Sequence, residues 1–160
     1  MTDIPLLDDR TPTRVFWFRT GFATHPGTVR RVNEDAMLER PEIGLWAVAD
    51  GMGGHDAGDV ASGRVVEALA GALDAETGSV SAAQIVVALE TCNAGLQAYA
   101  AGRGRGVIGS TVVALTIAGR RFECVWAGDS RLYRLRAGGI EQVTRDHSHV
   151  QELIDRGFAD

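Results

Sequence analysis

STVVALTIAGRRFECVWAGDS, residues 110–130, is the stretch on which the reading of the fold turns. Two runs rich in β-branched and apolar residues, Ser110–Ala118 and Arg121–Ala127, are separated only by Gly119 and Arg120. A two-residue connection containing glycine is hairpin chemistry, and a hairpin makes its strands antiparallel. The stretch closes on Asp129, a carboxylate placed just behind an apolar strand.

The same pattern continues on both sides. Downstream, Arg131–Arg136 and Ile140–Val143 flank Ala137-Gly138-Gly139 as a second hairpin. Upstream, GLWAVA (Gly44–Ala49) is a near-continuous apolar run suited to a buried strand. Ala36–Glu39 is a short strand that stops at Pro41, and Pro26-Gly27 marks a turn. Val15–Ala23, aromatic and β-branched, predicts one more strand. Two helical stretches lie between the strand groups. Ala61, Val65, Leu69 and Ala72 recur on one face of residues 59–73. Ile85, Ala88, Leu89, Cys92, Leu96 and Tyr99 recur behind Ser81, which can cap the second helix. GRGRG (Gly102–Gly106) reads as a loop tip in preference to an RNA contact. His147–Gly157 predicts a last amphipathic helix with Val150, Leu153 and Ile154 inward. Strands, two helices, strands and a helix form segregated runs, not strict alternation. The predicted class is therefore α+β, antiparallel sheets with helices packed outside. Residues 1–13, polar with two prolines, read as a loose leader, and 14–160 as one domain.

Composition narrows the function. A chain of 160 residues with 45% hydrophobic content can bury a sizeable single core. No apolar run approaches the ~18 residues that span a bilayer. A net charge of −5 argues against a general nucleic-acid binder. Cys92 and Cys124 sit in apolar patterns without metal spacing, which suits core packing in a reducing compartment. With no basic-then-apolar leader, the expected location is the cytoplasm.

ADGMGGHDAGD (Ala49–Asp59) poses the chemical question. A glycine-rich loop before a helix can cradle phosphate, whereas carboxylates behind a strand can hold a metal. The phosphate cradle fails: a Walker loop needs a lysine, and all sixteen basic residues here are arginine. A dinucleotide fingerprint fails too, because its third glycine position is occupied by Asp56. The metal reading fares better. Asp50 ends a buried strand, Glu34-Asp35 precede another, and Asp129 follows a third. Hard oxygen ligands of this kind select Mg²⁺ or Mn²⁺ over zinc. A single aspartate behind a strand is ordinarily a turn-former. Three such places, with Arg30 four residues ahead of Glu34, add a fork suited to two phosphate oxygens.

Five motifs occur in one order: GTVRRVNEDA (Gly27–Ala36), VADGMGGHDAGDVAS (Val48–Ser62), GSTVVAL (Gly109–Leu115), AGDSRLYRLR (Ala127–Arg136) and TRDHS (Thr144–Ser148). This set resembles the metal-dependent PP2C-type protein serine/threonine phosphatases in their bacterial form. Its wording is also similar to the stand-alone phosphatases associated with type VI secretion clusters. The resemblance implies an α-β-β-α four-layer sandwich and two Mn²⁺ or Mg²⁺ ions, with a weaker third. It implies hydrolysis of phosphoserine and phosphothreonine on protein substrates, opposed by a serine/threonine kinase. By motif, Asp50 matches the aspartate that bridges both metals, Gly51 the glycine whose carbonyl binds one, and Glu34 the acidic ligand of the second. Asp129 matches the ligand of the third metal, Asp35 orients water, and Arg30 binds phosphate. Ser110 and Thr111 read as structural strand residues. Some relatives carry a histidine directly after the Asp-Gly pair; Met52 stands there in this chain. His55, farther along, is read either as a general acid or as a loop-packing residue. His25 and His147 read as structural, His149 has no motif support, and Trp46 and Trp126 read as core.

The family pattern continues past the last helix with a flap, further strands, a Ser-Asp-Gly motif and a late Asp-Asn pair. Neither motif occurs here. The expectation is a fragment of a complete phosphatase, lacking C-terminal strands and leaving an apolar face uncovered. Two other readings stand beside the enzyme: a phosphatase-fold module that binds phosphopeptide or regulates without turnover, and a two-metal phosphoesterase for a small molecule.

Overall fold

Leu45, Ala47, Ala49 and Gly51 are buried, while Val48, Asp50 and Met52 between them are exposed. That period of two is what an extended backbone imposes, and it divides a sheet into a covered face and an open one. The computed structural model describes residues 17–53, 57–72, 80–104, 107–148, 151 and 156. In chain order its elements are β1 (Asp35–Arg40), a 3₁₀ turn (Pro41–Ile43), β2 (Leu45–Met52), α1 (Gly58–Ala70), α2 (Ala82–Gly102), β3 (Gly109–Ser110), β4 (Val112–Ala118), β5 (Arg121–Ala127), β6 (Tyr133–Arg136) and β7 (Gly139–Gln142).

The main sheet runs β1-β2-β4-β5, every pair antiparallel, with the short β3 also paired to the end of β2. Strands β6 and β7 make a separate two-stranded sheet. The α+β class, with antiparallel sheets and helices outside, is therefore as the segregated runs predict. The core lies between the covered face and the helices. Leu45, Ala47, Ala49, Val112 and Ala114 meet Val65 and Leu69 of α1 and Ile85 of α2. A second cluster joins Ala57 and Ala61 to Leu96 and Ile108.

Local chemistry explains the element ends. Ser81 and Gln84 form a reciprocal capping box at the start of α2, which satisfies two N–H groups that a helix start leaves unpaired. Gly119 takes φ 57° in the β4–β5 turn, and Ala137 and Gly138 take φ 50° and 80° between β6 and β7. Two successive left-handed residues make the primed turn whose twist matches a hairpin. Gly27 takes φ 79° in the turn read after Pro26.

Three expectations change. Residues 17–23 form no strand. Strand β1 is the sheet edge, and no described strand pairs with its outer side. The aromatic segment meets the open face through side chains instead: Phe18 packs edge-on against Trp46, ring centroids 4.9 Å apart, while Trp17 and Phe22 stay exposed. Strand propensity reports fit to a half-buried surface as much as to a ladder. Secondly, β2 continues beyond Ala49, so Asp50 lies inside the strand and not at its end. Only one face of that apolar run is covered; Val48 is 43% exposed. Thirdly, the strand read from Ser110 breaks at Thr111: Ser110 belongs to β3 and Val112 begins β4.

Residues 1–13, His55, His149 and most of the helix read over 147–157 lie outside the described residues. The described start of that last stretch, His147 and Ser148, is not helical; Ser148 Oγ accepts from the Gln151 amide at 3.1 Å. Cys92 and Cys124 are free and half-buried, and burial pushes both thiols up, as suits packing residues.

The open face carries Trp46, Val48, Val113, Leu115 and Ile117. A groove of about 680 Å³ runs over it between residues 20–24 and Arg131-Leu132. The β6–β7 hairpin begins a second layer there, since Leu132, Tyr133 and Val143 line one cavity with Leu115, Ile117 and Phe122.

Candidate active site

Asp35, Asp50 and Asp129 lie near one another at one end of the open face. Asp35 begins β1 and stands directly opposite Asp50 of β2, so both side chains leave the sheet on the same side. Burial pushes the Asp50 carboxyl up, the neighbouring Asp35 charge pushes it further, Arg30 pulls it down, and Asp129 raises it again. A carboxylate with two like charges near it and only one partial counter-charge is a place for a cation.

Surrounding groups set each carboxylate. Thr24 Oγ1 donates to Asp35 Oδ2 at 3.3 Å, Asn33 Nδ2 donates to Thr24 Oγ1 at 2.7 Å, and Asn33 Oδ1 accepts from the Asp35 amide at 3.2 Å. Neither Thr24 nor Asn33 stood out in the sequence; the signal was their closeness to Glu34-Asp35. Arg30 Nη1 donates to Glu34 Oε2 at 3.3 Å, with the arginine side chain 62% exposed and the glutamate 19%. Glu34 is turned toward Arg30 and toward Gly58 at the start of α1, where a Cβ on Gly58 would collide with its carboxyl. The positive end of a helix suits that carboxylate.

Gly51 has a steric reason beyond any ligand. Its amide donates to the Glu34 carbonyl at 3.0 Å. A Cβ there would fall inside the Gly58 carbonyl oxygen and 2.8 Å from the Glu34 carbonyl oxygen. Only glycine lets the three backbones meet at this point.

Asp129 follows β5 on an exposed loop whose Gly128 takes φ 98°. The loop is held on two sides. Toward the sheet, Ser130 Oγ and Thr111 Oγ1 share a hydrogen bond of 2.6 Å. Thr111 Oγ1 also accepts from the Asp50 amide at 3.1 Å, the Thr111 amide donates to the Asp50 carbonyl at 2.9 Å, and Ser110 Oγ donates to that carbonyl at 3.1 Å. Ser110 and Thr111 thus clamp the backbone of Asp50, a role their reading as strand residues missed. Two hydroxyls heading an otherwise apolar run were the available signal. On the other side, Arg131 grips Asp146 with Nε at 2.9 and 3.1 Å and Nη2 at 2.6 Å. The His147 amide donates to the Gly128 carbonyl at 2.9 Å, and Trp126 Nε1 donates to the Arg145 carbonyl at 2.8 Å. His147 stacks on Trp126, centroids 5.8 Å apart, and His25 Nδ1 accepts from the Gly27 amide at 3.0 Å.

Among the described residues, no three histidine, cysteine, aspartate or glutamate side chains converge tightly enough to hold a metal alone. The donor set nevertheless fits Mg²⁺ or Mn²⁺. Such ions keep several waters and take one or two carboxylates plus substrate phosphate, not a closed protein cage.

Residues 27–153 match the family model described as Protein phosphatase 2C. The chain belongs to the protein phosphatase 2C family. It is 41% identical over 132 residues to the serine/threonine protein phosphatase PstP of Mycobacterium tuberculosis, covering 82% of this chain and 25% of that protein. It is 35% identical over 144 residues to the serine/threonine phosphatase stp of Listeria monocytogenes, covering 85% of this chain and 57% of that one. Among solved structures it resembles PppA, a key regulatory component of T6SS in Pseudomonas aeruginosa, with TM-score 0.75 and 48% identity over 83% of this chain and 58% of that one. The catalytic domain of PstP in complex with two manganese ions matches with TM-score 0.74 and 41% identity, over 82% of this chain and 57% of that one. This protein phosphatase 2C chain therefore spans about half the length of the phosphatase domains it matches. Among the described residues, no helix is long and apolar enough to cross a membrane.

Proposed function

We propose that this chain carries the phosphate- and metal-binding half of a serine/threonine phosphoprotein phosphatase. The observation that carries the reading is Asp35 opposite Asp50, with the Asp129 charge reaching Asp50 and Arg30 at the rim. Asp50, the Gly51 carbonyl, Glu34 and Asp129 would hold Mn²⁺ or Mg²⁺. When bound, the ions activate water and offset charge on the phosphoryl group. Arg30, mostly exposed, places its fork against two phosphate oxygens of a phosphoserine or phosphothreonine. Asp35, held by Thr24 and Asn33, orients the attacking water. An oxygen–phosphorus bond forms to water, the bond to the side-chain oxygen breaks, and that oxygen takes up a proton. The substrates are phosphorylated proteins in the cytoplasm, opposed by a serine/threonine kinase, and residues 14–160 form the N-terminal part of the phosphatase domain. The 48% identity to PppA supports a place beside a type VI secretion system.

The test is Mn²⁺-dependent phosphate release from a phosphothreonine peptide. This chain is compared with a version extended to the length of its relatives, each with and without Asp50→Asn. An extended protein that is inert with Asp50 intact overturns the enzyme reading. One second reading, a module that binds phosphopeptide without turnover, rests on the exposed Arg30 fork alone. Binding that Arg30→Ala abolishes, with no phosphate released by either version, would establish it.

A further inference from the structure

We infer that Ser130 is a positioning residue that acts through Thr111 to hold Asp129 at a set distance from Asp50. The inference rests on the metal-site reading above.

The sheet does not need this contact to form. Strands β4 and β5 are registered along their length from Val112 opposite Ala127 to Ala118 opposite Arg121. Beyond Ala127 the chain leaves the ladder, and Asp129 stands on a turn. The segment 145–147 ties that turn outward, through the Gly128 carbonyl and the Trp126 indole. Toward Asp50, the described side-chain link is the 2.6 Å bond between Ser130 Oγ and Thr111 Oγ1.

Thr111 is shaped for the relay. Its hydroxyl accepts the Asp50 N–H at 3.1 Å and keeps a proton and a lone pair for Ser130. Its methyl carbon lies 2.7 Å from where a Cβ on Gly128 would sit. Glycine at 128 thus leaves room for Thr111, whose side chain joins the Asp50 backbone to the Ser130 hydroxyl. Serine at 111 would keep both hydrogen bonds, and valine would lose both. Two carboxylates that share ions or waters must keep their spacing to a fraction of an ångström. Groups that orient ligands in this way commonly change metal affinity about tenfold or more when removed.

The experiment is a Mn²⁺ titration of this chain, free ion followed by its electron paramagnetic resonance signal, with folding checked by near-ultraviolet circular dichroism. Ser130→Ala is expected to weaken Mn²⁺ binding about tenfold, and Ser130→Thr, which keeps the hydroxyl, to restore it. In an Asp129→Asn background, Ser130→Ala is expected to add nothing, because the carboxylate it positions is gone. A purely structural role would weaken both backgrounds equally. Mn²⁺ binding that Ser130→Ala leaves within twofold, or equal losses in both backgrounds, overturns the role of Ser130 and leaves the metal site standing. Absence of Mn²⁺ binding by the unaltered chain overturns the metal reading and the inference with it. If Ser130→Ala misfolds, Thr111→Ser and Thr111→Val carry the comparison, and only the valine should lose affinity through Asp129.

Discussion

Asp35 and Asp50 stand directly opposite one another on adjacent antiparallel strands, both carboxylates on the open face of the sheet. Like charges in that relation repel, by roughly 0.2–1 kcal/mol across a strand pair. The fold tolerates the repulsion at a point where the charges of Arg30 and Asp129 also reach Asp50.

Asp35→Asn should therefore raise the melting temperature of the chain in a chelating buffer by one or two degrees, since about 0.5 kcal/mol of repulsion is removed. Mn²⁺ should then stabilise the variant less than the unaltered chain. Thermal unfolding with chelator and with Mn²⁺ checks both halves. A variant less stable in chelator would show that Asp35 is a structural residue.

Glycine-to-alanine changes should separate two kinds of glycine. At Gly51 the new methyl meets backbone oxygens that cannot yield, so Gly51→Ala should cost about 3 kcal/mol or more. Gly63, inside α1, has open space where a Cβ would go. Gly63→Ala should stabilise by about 0.5–1 kcal/mol through helix propensity. Urea midpoints at constant slope decide; equal effects would contradict the packing at Gly51.

Acid sensitivity should trace to Asp146. The Arg131 guanidinium hydrogen-bonded to it holds its carboxyl below the usual carboxylate range, with Gln142 helping. A depressed folded value means stability that is present above the unfolded value, about pH 4, and lost as pH falls through the lower folded one. Asp146→Asn should therefore be less stable than the unaltered chain near pH 7, and the gap should narrow toward about pH 3. Unfolding at both ends of that range tests it, and a gap that widens with acid would contradict the ion pair's role.

Helix α2 depends on its start. Ser81→Ala removes both the acceptor for the Gln84 amide and the capping box, and should cost about 1 kcal/mol. Ser81→Asp should keep most of it. Chemical unfolding reads the difference.

Phosphate binding should depend on Arg30 without stability following. The Arg30–Glu34 pair is largely exposed on the arginine side, and such pairs contribute little to stability. Arg30→Ala should leave the melting temperature nearly unchanged. In the extended protein it should raise the KM for a phosphothreonine peptide about tenfold or more, the loss of a charge-assisted pair of hydrogen bonds. An unchanged KM would place the phosphate elsewhere.

Much of this protein was legible locally. Short apolar and β-branched runs bounded by turn residues marked β1, β2, β4 and β5, the spacing of Val65 and Leu69 marked α1, and Ser81 marked the start of α2, because each signal depends on neighbours within a few residues. Gly119 and Gly138 announced hairpins for the same reason. The motif order pointed to the protein phosphatase 2C family. Local pattern failed where the answer depended on a partner. The aromatic segment 17–23 packs on the open face through Phe18 and Trp46 and joins no ladder, a choice its strand propensity does not encode.

Register, which no local pattern encodes, decided the rest. It put Asp35 against Asp50, brought Thr111 onto an amide 61 residues away, and let Ser130 reach Thr111 from the next strand end. Sequence alone determined which carboxylates, glycines and arginine were available. Tertiary structure decided their relations, because distances between strands are set by backbone pairing and by which face the helices bury. The glycine of Asp50-Gly51 shows the division. Its match to the family motif implied a carbonyl close to a metal, but the fold adds a reason of its own: the Gly58 carbonyl occupies the space a side chain would need.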